Sequence, residues 1–534
     1  MVETNPEELR QTIGRIMPLM TAADFCDRNA RENGDKEALI DRRQRLTWSQ
    51  VKISSDRLAI GLRRLGLERD ACVLVQLPNQ VELFLTRLAC EKAGLRLITV
   101  APTFRRAELE PILRLTQPAA AIIRQEYRGF DHFALIEQLR EETLKHIVVI
   151  GDDVPKGTLP MSELLAGRVE EKKLQELRQS RYGILDVCQI ATTSGSTGAP
   201  KCVAVPLYTR LLTGWIHLKR FGVKQSETLA AATSIITGTA DALIYNGATA
   251  IGARIVLMDH FTAEVTCAAI EAEGVNILPL VPTMIVRLMN FSNLTNYDLR
   301  SLRAVVNHGA TLAPASGKTF EELVGCRIVQ ALGSVDCGGI AATRWDDPSE
   351  VRLNTVGKPL DGNAIKLVDS AGQKVLAGLV GRLHVRGPHT DARFFMNPAL
   401  DAIRGDDGYI DLQELALMDG DGNLILLGRE KDLIIRGGQN IYPTDIEAAL
   451  MQHPHIQDVS VAGIPDQELG ERVWAFVVCG PKQSLTLEEI KTFLEEKGLA
   501  RFKWPEGLTL VDSLPKVAAG QKVDRQKLKY MVQN

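Results

Sequence analysis

From Leu46 onward, short apolar runs alternate with longer amphipathic stretches. An amphipathic stretch at 56–65 is followed by the apolar run 71–76 and then by a helix-like pattern at 80–93. Apolar runs bounded by turn residues predict buried strands, and strands that alternate with helices predict parallel pairing. Further runs of this type are found at 119–123, 147–150, 189–191, 254–258 and 276–279. We therefore expect an α/β protein whose large N-terminal domain contains doubly wound, mostly parallel sheets.

The spacing of the apolar runs changes after about Arg352. Short β-like runs separated by Gly and Asp turns then predict a small β-barrel-like subdomain. These runs occupy 364–368, 381–385 and 423–427. Beyond Lys431 a compact segment has its own strand-like and helix-like patterns, at 458–464, 473–478 and 487–497. We predict a large domain at 1–430 and a small α+β domain at 431–534.

The composition is that of a globular protein without a strong charge preference. A chain of 534 residues is too long for one core, so two or more domains are expected. The formal net charge of -3 gives no electrostatic reason to expect a nucleic-acid partner. The chain has no run of about twenty apolar residues that would predict a membrane span, and its acidic start does not resemble a secretory signal. Nine cysteines without a C-x-x-C pair are typical of reduced thiols, so we expect a cytoplasmic protein.

A loop rich in hydroxyl residues and glycine follows the apolar run 184–191. It reads TTSGSTGAPK from Thr192 to Lys201. Glycines let backbone N–H groups approach an anion, hydroxyls add donors, and the Lys supplies a positive charge. The loop has neither the G-x-x-x-x-G-K-[ST] order of a Walker loop nor the G-x-G-x-x-G order of a dinucleotide fold. We interpret it as a site for a nucleoside triphosphate, with a solvated linker as the alternative.

This loop resembles the T-S-G-[ST]-T-G-x-P-K signature of the adenylate-forming superfamily, which includes acyl- and aryl-CoA ligases, nonribosomal-peptide adenylation domains and luciferases. Further segments match the superfamily in the same order, and the resemblance covers essentially the whole chain. They are GAT at 309–311, QALGSVD at 330–336, GREKD at 428–432, RGGQNIYP at 436–443 and GQKVDR at 520–525. The resemblance implies that a carboxylate attacks the α-phosphate of ATP, giving an acyl adenylate and pyrophosphate. A thiol then displaces AMP to form a thioester.

The resemblance also implies roles for single residues around the nucleotide. The loop would hold the β- and γ-phosphates and then the leaving pyrophosphate, with Lys201 as its main cation. Its expected members are Thr193, Ser194, Gly195, Ser196, Thr197, Gly198 and Lys201. The stretch along the adenine is matched by Gly309, Ala310 and Thr311. Asp336 stands where the superfamily has a metal-binding Glu, and its oxygens suit Mg²⁺, while Arg429 matches the Arg that reaches the ribose hydroxyls.

Two lysines of the C-terminal part match functional positions of the superfamily. Lys522 matches the catalytic Lys that enters the site for adenylation and bridges carboxylate and phosphate oxygens. Lys431 occupies the hinge about which the small domain rotates between the two half-reactions, so this domain is expected to be mobile. The alternatives are an exposed Lys in a basic tail for Lys522 and a solvated loop Lys for Lys431.

The chain departs from the superfamily at four places. Leu332 replaces an aromatic residue that stacks on adenine, and Gln439 replaces a Glu. Glu414 aligns with the Asp that binds the ribose hydroxyls, and Asp411 is a nearby rival for this role. Gln521 adds one residue to the Gly–Lys step before the catalytic Lys. These departures keep open a second hypothesis, a nucleotide-binding pseudoenzyme with impaired adenylation.

The C-terminal segments 465–472 and 497–503 look most like the aryl-acid branch, typified by 2,3-dihydroxybenzoate-AMP ligases. In that branch a His-Asn pair opens the acid pocket, whereas this chain reads TSIITG at 233–238. The isoleucines of this segment offer no partner to a buried phenol, so catechol acids are disfavoured. We expect a benzoate-like or cyclohexanecarboxylate-like acid, with ordinary core packing as the alternative for the isoleucines. The expected pocket residues are Ile235, Ile236, His308 and Cys337.

The thiol is expected to come from a separate molecule, because no carrier domain follows Asn534. Coenzyme A is favoured over a phosphopantetheinyl carrier protein, since it is the commoner acceptor for free-standing members of the superfamily. The expected cofactors are therefore ATP and Mg²⁺, with coenzyme A as co-substrate. A luciferase-like oxygenase is a third alternative, because it shares every nucleotide motif. A homodimer also stays open.

Overall fold

A computed structural model describes residues 5–151, 153–167, 169–193, 201–236, 238–397, 401, 403–480, 482–516 and 523–533. Helices and strands are numbered separately in chain order. The first part of the chain consists of α1 (Pro6–Gly14), α2 (Ala22–Glu32), β1 (Glu37–Ile40), β2 (Arg45–Thr47), α3 (Trp48–Arg64), β3 (Cys72–Gln76), α4 (Val81–Ala93), β4 (Arg96–Thr99), α5 (Arg106–Thr116), β5 (Ala120–Arg124), β6 (Glu126–Tyr127), β7 (Phe130–Asp131), α6 (His132–Gln138), β8 (His146–Ile150), β9 (Leu159–Pro160), α7 (Met161–Leu165), α8 (Glu171–Ser180) and β10 (Val187–Thr192).

The loop at 192–201 is called the phosphate loop after its predicted ligand. The middle part of the chain follows it and includes a π-helix. It consists of β11 (Cys202–Pro206), α9 (Leu207–Arg220), β12 (Thr228–Ala231), α10 (Gly238–Ala240), the π-helix (Asp241–Ala248), α11 (Thr249–Ile251), β13 (Arg254–Leu257), α12 (Ala263–Glu273), β14 (Ile277–Leu280), α13 (Pro282–Met289), β15 (Ala304–His308), α14 (Pro314–Val324), β16 (Arg327–Ser334), β17 (Gly338–Ala342), α15 (Ser349–Asn354) and β18 (Lys358–Pro359).

The last part is richer in strands. It consists of β19 (Ala364–Val368), β20 (Gly381–Arg386), β21 (Arg393–Phe394), β22 (Ile410–Met418), β23 (Leu424–Arg429), β24 (Ile434–Arg436), β25 (Gln439–Ile441), α16 (Pro443–Leu450), β26 (Ile456–Asp466), β27 (Gly470–Cys479), α17 (Leu487–Glu496), β28 (Gly507–Leu510) and α18 (Arg525–Gln533). Short 3₁₀ turns occur at Leu294–Asn296, Pro388–Thr390, Glu430–Asp432 and Arg501–Lys503.

Two large sheets form the N-terminal part of the molecule. The first has nine strands in the order β18-β17-β16-β15-β14-β12-β13-β1-β2, with parallel pairing from β16 to β1. The second has eight strands in the order β21-β11-β10-β4-β3-β5-β8-β9, with parallel pairing from β10 to β9. Antiparallel strands are confined to the sheet edges. The prediction of doubly wound, mostly parallel sheets is confirmed.

The two sheets and the helices between them share one large apolar core. Trp48 of α3, Phe84 of α4, and Tyr208 and Phe221, at the two ends of the α9 region, are buried in it. All five side chains of β3 are buried, as expected of a parallel strand covered on both faces. The helix α3 begins at a capping box, in which the Thr47 side chain accepts from the third backbone N–H of the helix.

The short β-like runs after α15 form a separate antiparallel sheet. Its strand order is β19-β20-β22-β23, so β19 and β23 are its edges. In the described part of the chain, the predicted barrel-like subdomain takes the form of this four-stranded sheet. It packs its apolar face on β17 and on the loop before β17 through the buried side chains of Cys337, Ile340 and Leu383.

The C-terminal strands form a further sheet in the order β25-β24-β27-β26, and β28 pairs with β27. Two apolar clusters join this sheet to α16, α17 and α18, and their described members all lie between Ile434 and Val532. A separate core of this kind is what a small α+β domain requires. Thr444 at the start of α16 donates from its hydroxyl to Leu427 O at 2.8 Å, which links the small part to β23. The exact division at Lys431 stays a prediction.

The helices and the cysteines bear on the predictions of no membrane span and of reduced thiols. Within the described ranges, none of the helices combines the length and the apolar character that crossing a membrane needs. All nine cysteines are free, and all but Cys479 are buried.

Candidate active site

Three of the predicted site segments lie at the carboxyl ends of parallel strands in the nine-stranded sheet. Thr233 follows β12, His308 ends β15, and Leu332 lies near the end of β16. In the sheet His308 is opposite Ala331, so the residues that follow β15 lie beside those at the end of β16. Open α/β sheets bind their ligands at this edge. The predicted adenine segment and the predicted metal position are therefore neighbours.

The adenine segment begins with a glycine whose conformation other residues rarely adopt. Gly309 has a φ of +82°, which turns the chain sharply after β15. The side-chain amide of Asn307 donates to Ala310 O at 3.1 Å and to Gln330 Oε1 at 2.7 Å, which fastens the segment to β16. Gly309, Ala310 and Thr311 are exposed, so their main chain is open to a ligand.

The phosphate loop connects β10 and β11, two antiparallel strands of the eight-stranded sheet. Thr193 N donates to Lys201 O at 2.9 Å, so a main-chain hydrogen bond closes the loop at its base. The Thr192 hydroxyl donates to Thr99 O at 3.0 Å and ties this base to β4. The other predicted loop residues lie outside the described residues: Ser194, Gly195, Ser196, Thr197 and Gly198.

Lys201 lies over an aromatic ring that the sequence analysis did not select. Its Nζ is 5.4 Å from the centroid of the Phe394 ring, within the range of a cation–π contact. Phe394 is held in turn, because β21 pairs with β11 and the Phe394 N–H donates to Asp401 Oδ1 at 3.1 Å. The ring therefore gives the Lys201 ammonium a defined position at the base of the phosphate loop.

The loop that carries Asp336 lies against the phosphate hairpin. Val335 packs on the apolar cluster that contains Phe394 and side chains of β10 and β11. The Ser334 hydroxyl donates to Asp336 Oδ1 at 2.7 Å and orients this half-buried carboxylate. Among the described residues there is no group of three or more His, Cys, Asp or Glu side chains placed to hold a metal ion. The single carboxylate of Asp336 nevertheless fits Mg²⁺, which is usually held by one or two carboxylates together with substrate phosphates.

Leu332 and Cys337 lie on the side of the site that faces the four-stranded sheet. Both side chains belong to the apolar cluster between this sheet and β17. Burial raises the pKa of the Cys337 thiol to about 12, so this sulfur is a neutral, apolar surface at physiological pH. Leu332 is half-buried and offers a branched apolar side chain at the position where the superfamily has an aromatic ring.

The segment 233–236 is clamped between the two large sheets. The Asn79 side chain, just after β3, accepts from Ile235 N at 3.0 Å and donates to Thr233 O at 2.8 Å. From β10, Gln189 Nε2 donates to Ile236 O at 2.7 Å. Both isoleucine side chains are buried in the main core. Their burial suits the wall of an apolar pocket and suits core packing equally.

His308 supplies an uncharged polar group beside this segment. The side chain is buried, and its Nε2 lies 3.4 Å from Thr233 Oγ1. Burial lowers the pKa of His308 to about 4. The imidazole is therefore neutral at physiological pH, with one nitrogen that donates and one that accepts.

The predicted ribose residues lie opposite each other in the four-stranded sheet. Glu414 of β22 and Arg429 of β23 are cross-strand partners, and Arg429 Nε donates to Glu414 Oε1 at 3.2 Å. The rival carboxylate, Asp411, lies instead beside Arg382 at 3.6 Å and His384 at 3.8 Å. Of the two candidates, Glu414 is thus the one that Arg429 accompanies.

Lys431 is exposed in the 3₁₀ turn that directly follows Arg429. The turn is anchored to the C-terminal helix, because Arg525 pairs with Asp432 at 3.0 Å and with Glu447 at 2.7 Å. Lys522 and Gln521 lie outside the described residues. The exposed side chain and the short turn are compatible with a pivot at Lys431.

Sequence reasoning missed several polar residues that hold the site together. Asn79, Gln189 and Arg87 all bond to the main chain of residues 231–236, and Arg210 bonds to Val335 O. Gln189 interrupts an apolar run, and a single polar residue in such a run was the available signal. Arg87 follows Thr86 in a helix-like pattern and gave no signal of this kind. No local pattern indicated which distant carbonyl each of them would reach.

Comparisons with known proteins identify the family to which the chain belongs. The family model for the AMP-binding enzyme matches residues 26–392, and the model for the AMP-binding enzyme C-terminal domain matches residues 445–521. Over 513 residues the chain is 30% identical to the 2-hydroxy-7-methoxy-5-methyl-1-naphthoate–CoA ligase of Streptomyces carzinostaticus, covering 94% of this chain and 91% of the relative.

A second relative and a solved structure extend the comparison over nearly the full length. The chain is 29% identical over 540 residues to the 2,3-dihydroxybenzoate-AMP ligase of Bacillus subtilis, covering 99% of this chain and 97% of the relative. The crystal structure of an anthranilate CoA ligase in complex with anthranoyl-AMP superposes with a TM-score of 0.88 at 24% identity, covering 98% and 99% of the two chains, a likeness of fold. The chain therefore belongs to the AMP-binding enzymes of the adenylate-forming superfamily, whose signature its phosphate loop carries.

Proposed function

We propose that this protein is an ATP-dependent acid–thiol ligase that forms an acyl or aryl adenylate and then a thioester with coenzyme A. One observation carries the proposal. The base of the phosphate hairpin, the adenine segment and the Asp336 loop meet around the segment 233–236, which is enclosed between the two sheets. This arrangement would place a second reactant, the acid, beside the predicted nucleotide site.

The first step requires an anionic carboxylate to approach a polyanion, so fixed positive charge is needed. Lys201 supplies this charge at the base of the phosphate loop, and the Phe394 ring keeps its ammonium in place. Asp336 is the residue that would hold Mg²⁺, which when bound neutralises charge on the phosphates. Because Ser334 donates to Asp336 Oδ1, the carboxylate has a fixed orientation before the nucleotide arrives.

Glu414 would accept hydrogen bonds from the ribose hydroxyls, and Arg429 would contact the same hydroxyls from the opposite strand. Their cross-strand pairing supports these roles, because the guanidinium and the carboxylate orient each other at 3.2 Å. The exposed main chain of 309–311 would lie along the adenine. Leu332 would contact the base through apolar surface alone.

Lys522 would bridge the carboxylate and phosphate oxygens during adenylation. The small domain, which we place at 431–534, would then rotate about Lys431 to bring the thiol to the adenylate. The exposed 3₁₀ turn at this position supports the pivot, since hinges are typically a few residues at the ends of elements.

The acid is proposed to be aromatic or alicyclic and poor in hydroxyl groups. The two isoleucine side chains are apolar and buried, and the Cys337 thiol is uncharged. His308 is a neutral polar group whose Nε2 lies 3.4 Å from Thr233 Oγ1, so a single polar substituent could be matched there. The two relatives compared above are named for an aromatic acid, a naphthoate and a dihydroxybenzoate, which supports an aromatic ring.

A second candidate is an aryl-acid–AMP ligase that loads a separate carrier protein. The similarity to the 2,3-dihydroxybenzoate-AMP ligase over 99% of this chain favours it specifically. Both candidates share the first half-reaction and differ only in the thiol.

The test is acid-dependent exchange between pyrophosphate and ATP with Mg²⁺, across aromatic, alicyclic and short aliphatic acids that include salicylate and 2,3-dihydroxybenzoate. Exchange with benzoate-like acids, abolished in Lys522→Ala while ATP still binds, is the expected result. Thioester formation with free coenzyme A, or only with a phosphopantetheinyl carrier, then separates the two candidates. ATP binding without exchange for any acid would refute both and favour the pseudoenzyme.

A further inference from the structure

Three charged side chains are buried together beneath the active site. Arg87 of α4 and Arg210 of α9 are each 5% exposed, and Asp241 at the start of the π-helix is 1% exposed. Arg87 Nη2 donates to Asp241 Oδ1 at 2.7 Å. Arg210 Nε lies 3.8 Å from Asp241 Oδ2. We call these three residues the Arg–Asp–Arg cluster.

The cluster depends on an unusual helix and on a close helix contact. The π-helix Asp241–Ala248 places Tyr245 so that the Arg87 guanidinium lies 3.5 Å from the centre of its ring. Asn246 Nδ2 donates to Asp241 Oδ1 at 3.0 Å. One turn after Arg210, a Cβ at Gly214 would lie 2.0 Å from Ala242 O, so only glycine allows α9 to approach this closely. π-Helical turns are rare and frequently occur at functional sites.

Each arginine of the cluster also bonds to the main chain of a different part of the active site. Arg87 Nη1 donates to Ile235 O, in the segment that forms the proposed acid pocket. Arg210 Nη2 donates to Val335 O at 2.9 Å, in the loop that carries Asp336. Asp241 therefore lies between two arginines that contact different parts of the site. We call the contact of Arg87 with Ile235 O the Arg87 arm, on the acid side, and the contact of Arg210 with Val335 O the Arg210 arm, on the metal side.

Packing alone does not explain this cluster. Burial lowers the pKa of Arg210 despite the attraction of Asp241. Arg210 Nε and Asp241 Oδ2 have no hydrogen-bond partner among the described residues. Replacing buried ion pairs by apolar side chains is often neutral or stabilising, so the charges are best explained by the two main-chain carbonyls that they hold.

We propose that the Arg–Asp–Arg cluster positions the two sides of the active site through separate arms. The Arg87 arm sets the acid-pocket segment, and the Arg210 arm sets the loop of Asp336. All three are positioning residues, because they act through Ile235 and Val335. The inference rests on the proposed function, since it assigns the two sides to the acid and to Mg·ATP.

The experiment measures two constants in pyrophosphate exchange: the KM for the acid and the Mg²⁺ concentration that gives half-maximal activity. Loss of a charge-assisted hydrogen bond to a buried carbonyl corresponds to about a tenfold effect. Arg87→Met should raise the KM for the acid about tenfold and shift the Mg²⁺ requirement less than about twofold. Arg210→Met should raise the Mg²⁺ concentration for half-maximal activity about tenfold and change the KM for the acid less than about twofold. Asp241→Asn should raise both constants.

Arg220→Met is the matched control. Arg220 lies on the same helix, is equally buried, and donates to the main-chain carbonyls of Ala342 and Lys358, outside the active site. This control should lower the unfolding temperature and leave both constants unchanged. A purely structural role for the cluster predicts that Arg87→Met and Arg210→Met behave like Arg220→Met, and this result would overturn the proposal.

The lysine variants keep the test informative if a methionine variant does not fold. Arg87→Lys and Arg210→Lys retain the charge but lose the planar guanidinium. In Arg87 this group bonds Asp241 and Ile235 O together, and in Arg210 it bonds Val335 O beside Asp241, so the same split between constants is expected. Equal shifts of both constants in each lysine variant would contradict separate arms.

Failure of the proposed function would be visible first, as a wild-type protein without exchange for any acid. The Arg210 arm is then measured by ATP binding with Mg²⁺ and with EDTA. Arg210→Met should weaken binding only with Mg²⁺, and Arg87→Met should leave binding unchanged. Weakening by Arg87→Met, or weakening by Arg210→Met in EDTA, would refute the inference independently of catalysis.

Discussion

Replacing Phe394 by Leu tests whether the aromatic ring beneath Lys201 positions its ammonium. Phe394 is nearly buried in the cluster that joins β10, β11 and β21, and Lys201 Nζ lies 5.4 Å from its centre. The Leu side chain keeps the cluster apolar but has no aromatic ring, so the cation–π contact with Lys201 is lost. Phe394→Tyr is the matched control, because it keeps the ring and hence the cation–π contact.

The expected magnitude follows from the distance and from the exposure of the two groups. Cation–π contacts contribute about 0.5–1 kcal/mol at exposed sites and about 2 kcal/mol when desolvated. Lys201 is half-buried, so we take about 1 kcal/mol, which corresponds to roughly a fivefold change. We expect Phe394→Leu to lower kcat/KM for ATP about fivefold, and Phe394→Tyr to lower it less than about twofold.

The assay is pyrophosphate exchange with ATP as the varied substrate and the acid saturating. Phe394→Leu and Lys201→Met are measured alone and together, which gives a double-mutant cycle. If the ring acts through Lys201, the Phe394→Leu effect disappears in the Lys201→Met background. A fivefold loss that persists there, or an equal loss in Phe394→Tyr, would refute the reasoning and assign the effect to packing.

Three further results are expected. Asn79→Ala leaves Ile235 N and the buried carbonyl of Thr233 unpaired. Urea unfolding should therefore show about 2–4 kcal/mol of lost stability, and the KM for the acid should rise. An unchanged urea midpoint would contradict the role of Asn79 in holding the segment 233–236. Glu414→Gln should raise the KM for ATP about tenfold and Asp411→Asn less than about twofold, because Glu414 alone accompanies Arg429; the opposite order would restore Asp411 as the ribose ligand. Burial raises the pKa of Glu91 to about 7, so the folded protein binds more protons than the unfolded chain between pH 4.5 and 7, and this group's contribution to stability is lost as pH rises through that window. Glu91→Gln should remove up to roughly 3 kcal/mol of this pH dependence of the unfolding free energy in denaturant titrations. If the variant and the wild type lose stability equally as the pH rises, Glu91 is not the group responsible.

Two strands show where local pattern was sufficient and where it was not. The run 71–76 predicts β3 almost to its ends, because every side chain of that strand is apolar or buried. Strand β22 is not predicted, because its first half carries Asp411, Gln413 and Glu414, and Gln413 adopts a φ of +54°. The irregular half of the strand is the half that presents Glu414 to Arg429. The polar residues of this half thus interrupt the alternation of apolar and polar positions from which a strand is predicted.

The sequence by itself determined the α/β class, the loop motif TTSGSTGAPK and membership of the adenylate-forming superfamily. These properties depend on local periodicity and on short contiguous motifs, in which each residue type meets a requirement of its own backbone position. Only the tertiary structure decided that Phe394 lies under Lys201, that Glu414 rather than Asp411 faces Arg429, and that two buried arginines share Asp241. The physical reason is that these partners are far apart in the chain. Strand order, register and helix packing bring them together, and no local pattern encodes those three quantities.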